Sequence, residues 1–220
     1  MARNEYQKQL DGLREDVCEM SDDVCGRLRQ AIDAYESKDD DLAQQVIDGD
    51  YEINQRYLDL EQDCIGLFAL QQPVAGDLRF IASSFKIITD LERIGDLAVI
   101  LGEYTQQAEQ DRYPDVDIAQ IGTETISMVE TAMRAYASGD SATTYDIAAM
   151  DDEIDDRCER ASQLVVRDLI ETEPDSAERL LEDVSRMLLT IRDIERVGDH
   201  AVNIAARTLY MVENDDELIY

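Results

Sequence analysis

The chain has 220 residues, 44% of them apolar, which is enough to bury a substantial core, and it carries a net charge of −31. A field of that sign repels nucleic acid and anionic lipid, because binding either depends on neutralising phosphates with cations. No apolar stretch reaches the roughly 18 residues of a membrane span, and the start Met1-Ala-Arg-Asn-Glu-Tyr-Gln-Lys lacks the apolar segment of a secretory signal, so a cytoplasmic protein without membrane insertion is expected.

Apolar residues recur at three- and four-residue spacing almost throughout, with no sustained period-two alternation, so the class is all-α. Six helices are predicted. The first runs from about Asn4 to Tyr35 and stops at Ser37-Lys-Asp. The second starts near Asp40 and ends before Pro73, which disfavours helix at the residue ahead of it. The third spans about Gly76 to Glu109, after which Asp111-Arg-Tyr-Pro114 breaks the pattern and marks a boundary between residues 1–112 and 113–220. The fourth runs from about Asp115 to Ala137, the fifth ends near Glu171, and the sixth spans about Asp175 to Tyr210. Long helices with short joins pack as antiparallel neighbours, giving two tandem three-helix bundles.

The chain is a tandem duplication. Asp90-Leu-Glu-Arg-Ile-Gly-Asp-Leu-Ala-Val99 returns 103 residues later as Asp193-Ile-Glu-Arg-Val-Gly-Asp-His-Ala-Val202, identical at seven of ten positions. Ala34-Tyr35-x-Ser37-x-Asp39 and Asp50-Tyr-Glu-Ile-Asn54 return at an offset of 101, as Ala135-Tyr136-x-Ser138-x-Asp140 and Asp151-Asp-Glu-Ile-Asp155. Pro73 and Pro174 share that offset, so a two-residue insertion falls in the loop just beyond them. A pseudo-two-fold relation between the halves follows.

Both copies keep Glu-x-x-x-Asp, which sets two carboxylates one helical turn apart on one face. With 51 acids in 220 residues, such a pair arises by chance at roughly one position in twenty, so the spacing alone means little. Placement distinguishes these two. Ile81, Phe85, Ile88, Glu92, Gly95 and Val99 form one stripe, and Val184, Leu188, Ile191, Glu195, Gly198 and Val202 form its copy, so each glutamate interrupts an apolar line. Asp96 and Asp199 flank that line. A partly buried carboxylate needs a cation, a charged donor or a raised pKa, and duplicated oxygen ligands suit a hard or borderline cation. The structural alternative is an ion pair with Arg93, Arg196 or another arginine. Asp50, Asp151 and Asp155, mid-way along the second and fifth helices, extend the candidate metal set, while Asn54 replaces the second acid in the first half. Gly95 and Gly198 each cost about 1 kcal/mol inside a helix, which close helix approach or room for a metal would offset.

The remaining reactive residues point nowhere else. Cys18, Cys25, Cys64 and Cys158 form no CxxC pair and read as buried thiols rather than zinc ligands. His200 is the only histidine and its counterpart in the other copy is Leu97, so the shared architecture does not require it and it reads as an ordinary partly buried side chain. No Glu-x-x-His pair, phosphate-cradling Gly-rich loop or nucleophile elbow is present, and no catalytic residue is assigned. The 31 Asp, 20 Glu and three Lys against 17 Arg look like the proteome of salt-accumulating archaea.

Taken together, the two Glu-Arg-(Ile/Val)-Gly-Asp segments, Gln72-Pro-Val-Ala-Gly-Asp-Leu-Arg79, Val46-Ile-Asp-Gly-Asp50 and Asp151-Asp-Glu-Ile-Asp155 resemble the PhoU family of phosphate-uptake regulators over nearly the whole chain. The resemblance implies two three-helix bundles related by pseudo-symmetry. It implies multinuclear metal sites, iron or zinc in some members and none in others, on Glu92 with Asp96 and on Glu195 with Asp199. It also implies a negative regulator of phosphate uptake that contacts the ATPase subunit of the phosphate transporter, with a signalling protein as a further partner and a homodimer as its assembly. The marked acidity departs from the bacterial pattern and puts a kinase partner in doubt.

The leading expectation is a non-enzymatic adaptor that restrains a phosphate transporter at sufficient phosphate, its acidic faces docking on basic surfaces. A regulator of another ion transporter is the alternative within the family. A metal-dependent phosphohydrolase is the alternative of another class, disfavoured because no general acid or phosphate-clamping basic cluster accompanies the carboxylates.

Overall fold

A computed structural model describes residues 2–70, 74–107, 116–171 and 177–219. Its described elements are seven helices: α1 (Ala2–Ser37), α2 (Asp40–Asp48), α3 (Asp50–Leu70), α4 (Ala75–Gln107), α5 (Ile118–Ser138), α6 (Thr143–Glu171) and α7 (Ala177–Glu213). The expected bounds hold within a few residues. The exception is the second predicted helix, which is divided at Gly49 into α2 and α3. Pro73, Pro174 and the Asp111–Pro114 boundary lie outside the described residues.

Helix ends follow from local chemistry. Lys38 takes a left-handed φ of 55°, and Asp39 then caps α2 by accepting from the Leu42 amide at 2.9 Å. Asp40 and Asp41 sit in its first turn, where carboxylates complement the helix dipole. The duplicated join is solved similarly. Gly139 closes α5 at a φ of 67°, and Asp140 accepts from the Ala142 amide at 3.0 Å and from Thr143 Oγ1 at 2.7 Å. At the start of α5, Asp117 accepts from the Gln120 amide.

The fold is two tandem three-helix bundles. In the first, α1, α4 and the α2/α3 pair pack on one another; in the second, α5, α6 and α7 do. The bundles meet through α1 against α5 and α4 against α7, so the two motif helices face each other. Tyr6, Met20, Leu28, Ile81, Ile88 and Leu91 fill the first bundle, and Met128, Tyr136 and Ile147 belong to the second; all are essentially inaccessible. Each such apolar side chain stabilises the fold by about 1.5–3 kcal/mol.

Polar ties across the two bundles sit at duplicated positions. Asp90 on α4 lies 2.9 Å from His200 Nδ1 and accepts from Asn203 Nδ2 at 3.2 Å, both on α7. Its copy Asp193 on α7, buried, accepts from the Tyr104 hydroxyl on α4 at 3.0 Å. His200 is thus partly buried, as expected, and its bond to Asp90 is a finding of the structure. Tyr136 stacks on Phe80 with centroids 6.1 Å apart and shares a 2.7 Å hydrogen bond with Ser84.

Candidate functional site

The stripes predicted on the third and sixth helices are found on α4 and α7. Ile81, Ile88 and Gly95 are buried and Glu92 is half-buried; Val184, Ile191 and Gly198 are buried and Glu195 is half-buried. Asp96 is partly covered, whereas Asp199 is exposed.

The structure brings Asp50 of α3 to the Glu92/Asp96 pair, and Asp151 with Asp155 of α6 to Glu195/Asp199. Their mutual repulsion shows it. The Asp50 carboxyl is raised, chiefly by burial and then by Asp96, with Asn54 and Arg27 pulling it down. Glu92 is raised by burial and then Asp96, with Arg93 opposing. In the second half, Asp151 is pushed up to about 7 by burial, then by Asp155, Asp199, Asp152 and Glu195, with no cation opposing. Asp155 and Glu195 are raised by burial and by one another's sets.

The ion-pair alternative holds in one half only. Arg93 lies 3.5 Å from Glu92 and 3.1 Å from Asp96. Its copy Arg196 turns instead to Asp193 at 3.3 Å, leaving Glu195 and Asp199 without it. The glycines differ as well. A Cβ at Gly95 would stand 3.2 Å from Ile53 Cγ2, which is close helix packing, but one at Gly198 would stand 2.8 Å from Asp151 Oδ1.

Among the described residues, no group of three or more His, Cys, Asp or Glu side chains is drawn together tightly enough to hold a metal ion as it stands. Uncompensated carboxylates repel, so a closed cluster is not the arrangement that acids alone adopt. Whether these residues suit a cation is better judged from their oxygens. Asp50 Oδ1 and Asp151 Oδ1 are both buried with no hydrogen-bond partner, and they occupy the same position in the two halves. An orphaned buried carboxylate oxygen is costly unless something positive meets it. The donor set, all carboxylate oxygen apart from the Asn54 amide, fits a hard or borderline cation.

Two residues important to this geometry escaped the sequence reading. Arg27 of α1 packs against Gly49, donates to the Val46 carbonyl and to Glu52, and its charge pulls the nearby Asp50 carboxyl down. Their signal was available as departures from the repeat, since the same offset of 101 gives Met128 and Met150. The cysteines add nothing to the site. Burial pushes the thiols of Cys25, Cys64 and Cys158 up to about 11, 12 and 12, respectively.

A family model described as the PhoU domain matches residues 17–105 and again 118–208, once in each repeat. The chain is 32% identical over 215 residues to the phosphate-specific transport system accessory protein PhoU homolog of Pseudomonas aeruginosa, covering 96% of this chain and 87% of that one. It is 30% identical over 210 residues to homolog 1 of the archaeon Methanothermobacter thermautotrophicus, covering 94% of each. The crystal structure of PhoU from Pseudomonas aeruginosa matches with a TM-score of 0.89 at 30% identity, over 96% of this chain and all of that one. With both repeats, the helical architecture and the length in agreement, the chain belongs to the PhoU domain family.

Proposed function

We propose that the chain is a non-enzymatic regulator of phosphate uptake, an adaptor that binds the ATPase subunit of a phosphate transporter and restrains it when phosphate is sufficient. The observation that carries this reading is membership of the PhoU domain family over both repeats, with relatives named as phosphate-specific transport accessory proteins. The surface supports an adaptor. Tyr51, Leu58 and Ile65 stand exposed at seven-residue spacing along one face of α3, and Glu52, Asp59 and Asp63 are exposed beside them. An apolar stripe edged with acids complements a partner that is apolar in the middle and basic at its rim. No described helix is long and apolar enough to cross a membrane, so a transporter would be met at its soluble subunit.

The acidic sets have a structural part in this reading. Glu92, Asp96 and Asp50 would hold a cation between α4 and α3, and Glu195, Asp199, Asp151 and Asp155 one between α7 and α6. A bound cation, iron or zinc by the family's precedent, supplies charge neutralisation. The carboxylates themselves clamp the second helix of each half to the motif helix, and the buried Oδ1 atoms gain a partner. Assembly as a homodimer and a signalling partner belong to the same proposal, as does adaptation to concentrated salt, in which so acidic a surface repels itself least.

Cells lacking the chain test the function. Phosphate uptake at high external phosphate should rise relative to the parent and fall back on complementation; unchanged uptake would count against this role.

A further inference from the structure

Two exposed apolar positions are kept in both repeats, and they flank the join of α3 to α4 and of α6 to α7. Ile65 of α3 and its copy Val166 of α6, at the offset of 101, are 55% and 41% exposed. Leu78 of α4 and its copy Leu181 of α7, at the offset of 103, are 41% and 55% exposed. Apolar side chains close by in the chain are exposed as well, Phe68 and Val74 in the first half and Leu164 and Ile170 in the second. Elsewhere the copies disagree. The exposed Tyr51 and Leu58 have Asp152 and Glu159 as counterparts, Tyr145 has Gln44, and Leu189 has Lys86. A lone apolar side chain on a surface needs no explanation, but a pair kept twice in so acidic a chain, where other exposed apolar positions have diverged to charge, is the mark of a contact.

Helix directions fix how the two patches are related. Asp90 of α4 meets His200 and Asn203 of α7, and Tyr104 of α4 meets Asp193. The α7 number falls as the α4 number rises, so these helices run antiparallel, and the pseudo-two-fold axis crosses them near Gly95 and Gly198. Leu78 and Leu181 each stand 17 residues before that crossing. At about 1.5 Å per residue they lie roughly 50 Å apart, toward opposite ends of the molecule. Leu78 is followed along the exposed side of α4 by Ala82 and Lys86, and Leu181 along that of α7 by Ser185 and Leu189. An axis perpendicular to both helices turns one exposed side onto the other, so the two leucines share the α4/α7 face.

Two equivalent patches about one axis match a partner with the same symmetry. An asymmetric partner would engage one end alone, whereas two identical subunits related by a two-fold offer the same slot twice. Acids exposed near the patches, Asp63 in the first half and Glu171 and Glu182 in the second, suit slots with basic rims. We propose that the chain straddles a two-fold pair of identical subunits, one gripping the Ile65 and Leu78 end and the other the Val166 and Leu181 end. That these are ATPase subunits of the phosphate transporter rests on the function proposed above. The unduplicated line of Tyr51 and Leu58 adds to the contact at one end only.

The test is the mass of the complex between the full chain and the purified ATPase subunit, read by light scattering in about 1 M KCl, where surface charge is screened within about 3 Å. The parent should saturate at one chain per two subunits. Leu78→Asp and Leu181→Asp, at unchanged helicity, should each weaken binding at least tenfold, because one of two linked contacts is lost. Each variant should then saturate at one chain per subunit, held by its intact end. A parent complex with one chain per subunit, or a Leu181→Asp variant that binds as the parent does, overturns the bridging. A chain that forms a dimer by itself, and that Leu181→Asp turns into a monomer, assigns the patches to self-association and overturns it too. These outcomes leave the proposed function standing; absence of any complex with the ATPase subunit overturns that function and this inference together.

Discussion

At the scale of single residues, the raised carboxyls make stability depend on pH in an unusual direction. Asp151 is pushed up to about 7, by burial first and by its acidic neighbours next. An unfolded aspartate titrates near 4, so between about pH 4 and 7 the folded chain binds the extra proton, and its stability falls as pH rises through that window. In chelator and constant KCl the unfolding midpoint should therefore climb as pH is lowered from 7 toward 5, and Asp151→Asn should flatten the climb. A midpoint that falls over the same interval, or a slope untouched by the substitution, would show that Asp151 is not held in this way. Much of the candidate site could be read from sequence, because a glutamate within an apolar stripe is visible from periodicity. Arg27 was legible only as a departure from the repeat, with Met128 at the offset of 101; which helix break it packs into is a long-range contact that the repeat does not show.

At the scale of elements, the helix count was legible except at Gly49, and the reason is physical. Capping and periodicity alone permit one helix from Asp40 onward, and Gly49 itself stays near helical angles, with φ −77° and ψ −7°. What occupies the space a side chain would take there is the Arg27 guanidinium, a long-range contact between α1 and the α2/α3 junction. Glycines without such neighbours should behave by propensity alone. A Cβ at Gly12 or Gly26 would meet nothing within 4 Å, so Ala at either position should stabilise the chain by up to about 1 kcal/mol. Gly49→Ala should gain less than either, or lose stability, since the Arg27 guanidinium must shift to admit the methyl group. Denaturant midpoints of the three variants check this, and equal shifts of one sign would contradict it.

For the whole molecule, the duplication gave the architecture and the divergence between its copies gave the asymmetry. Offsets of 101 and 103 made α1 the counterpart of α5 and α4 that of α7, and what they could not show is that α4 also packs on α7 across the bundles, tied by Asp90 to His200 and by Asp193 to Tyr104. Sequence could not show the exposed line of Tyr51, Leu58 and Ile65, because apolar residues at helical spacing are ordinarily read as core. That line and the acids beside it are where an adaptor would meet its transporter. The most direct measurement is binding of the purified chain to the purified ATPase subunit of the phosphate transporter from the same cells, in concentrated KCl, for the parent and for Leu58→Asp with Ile65→Asp. The account predicts a complex with the parent, weakened at least tenfold in the variant at unchanged helicity. An ATPase subunit that ignores the parent chain at every salt concentration would contradict it.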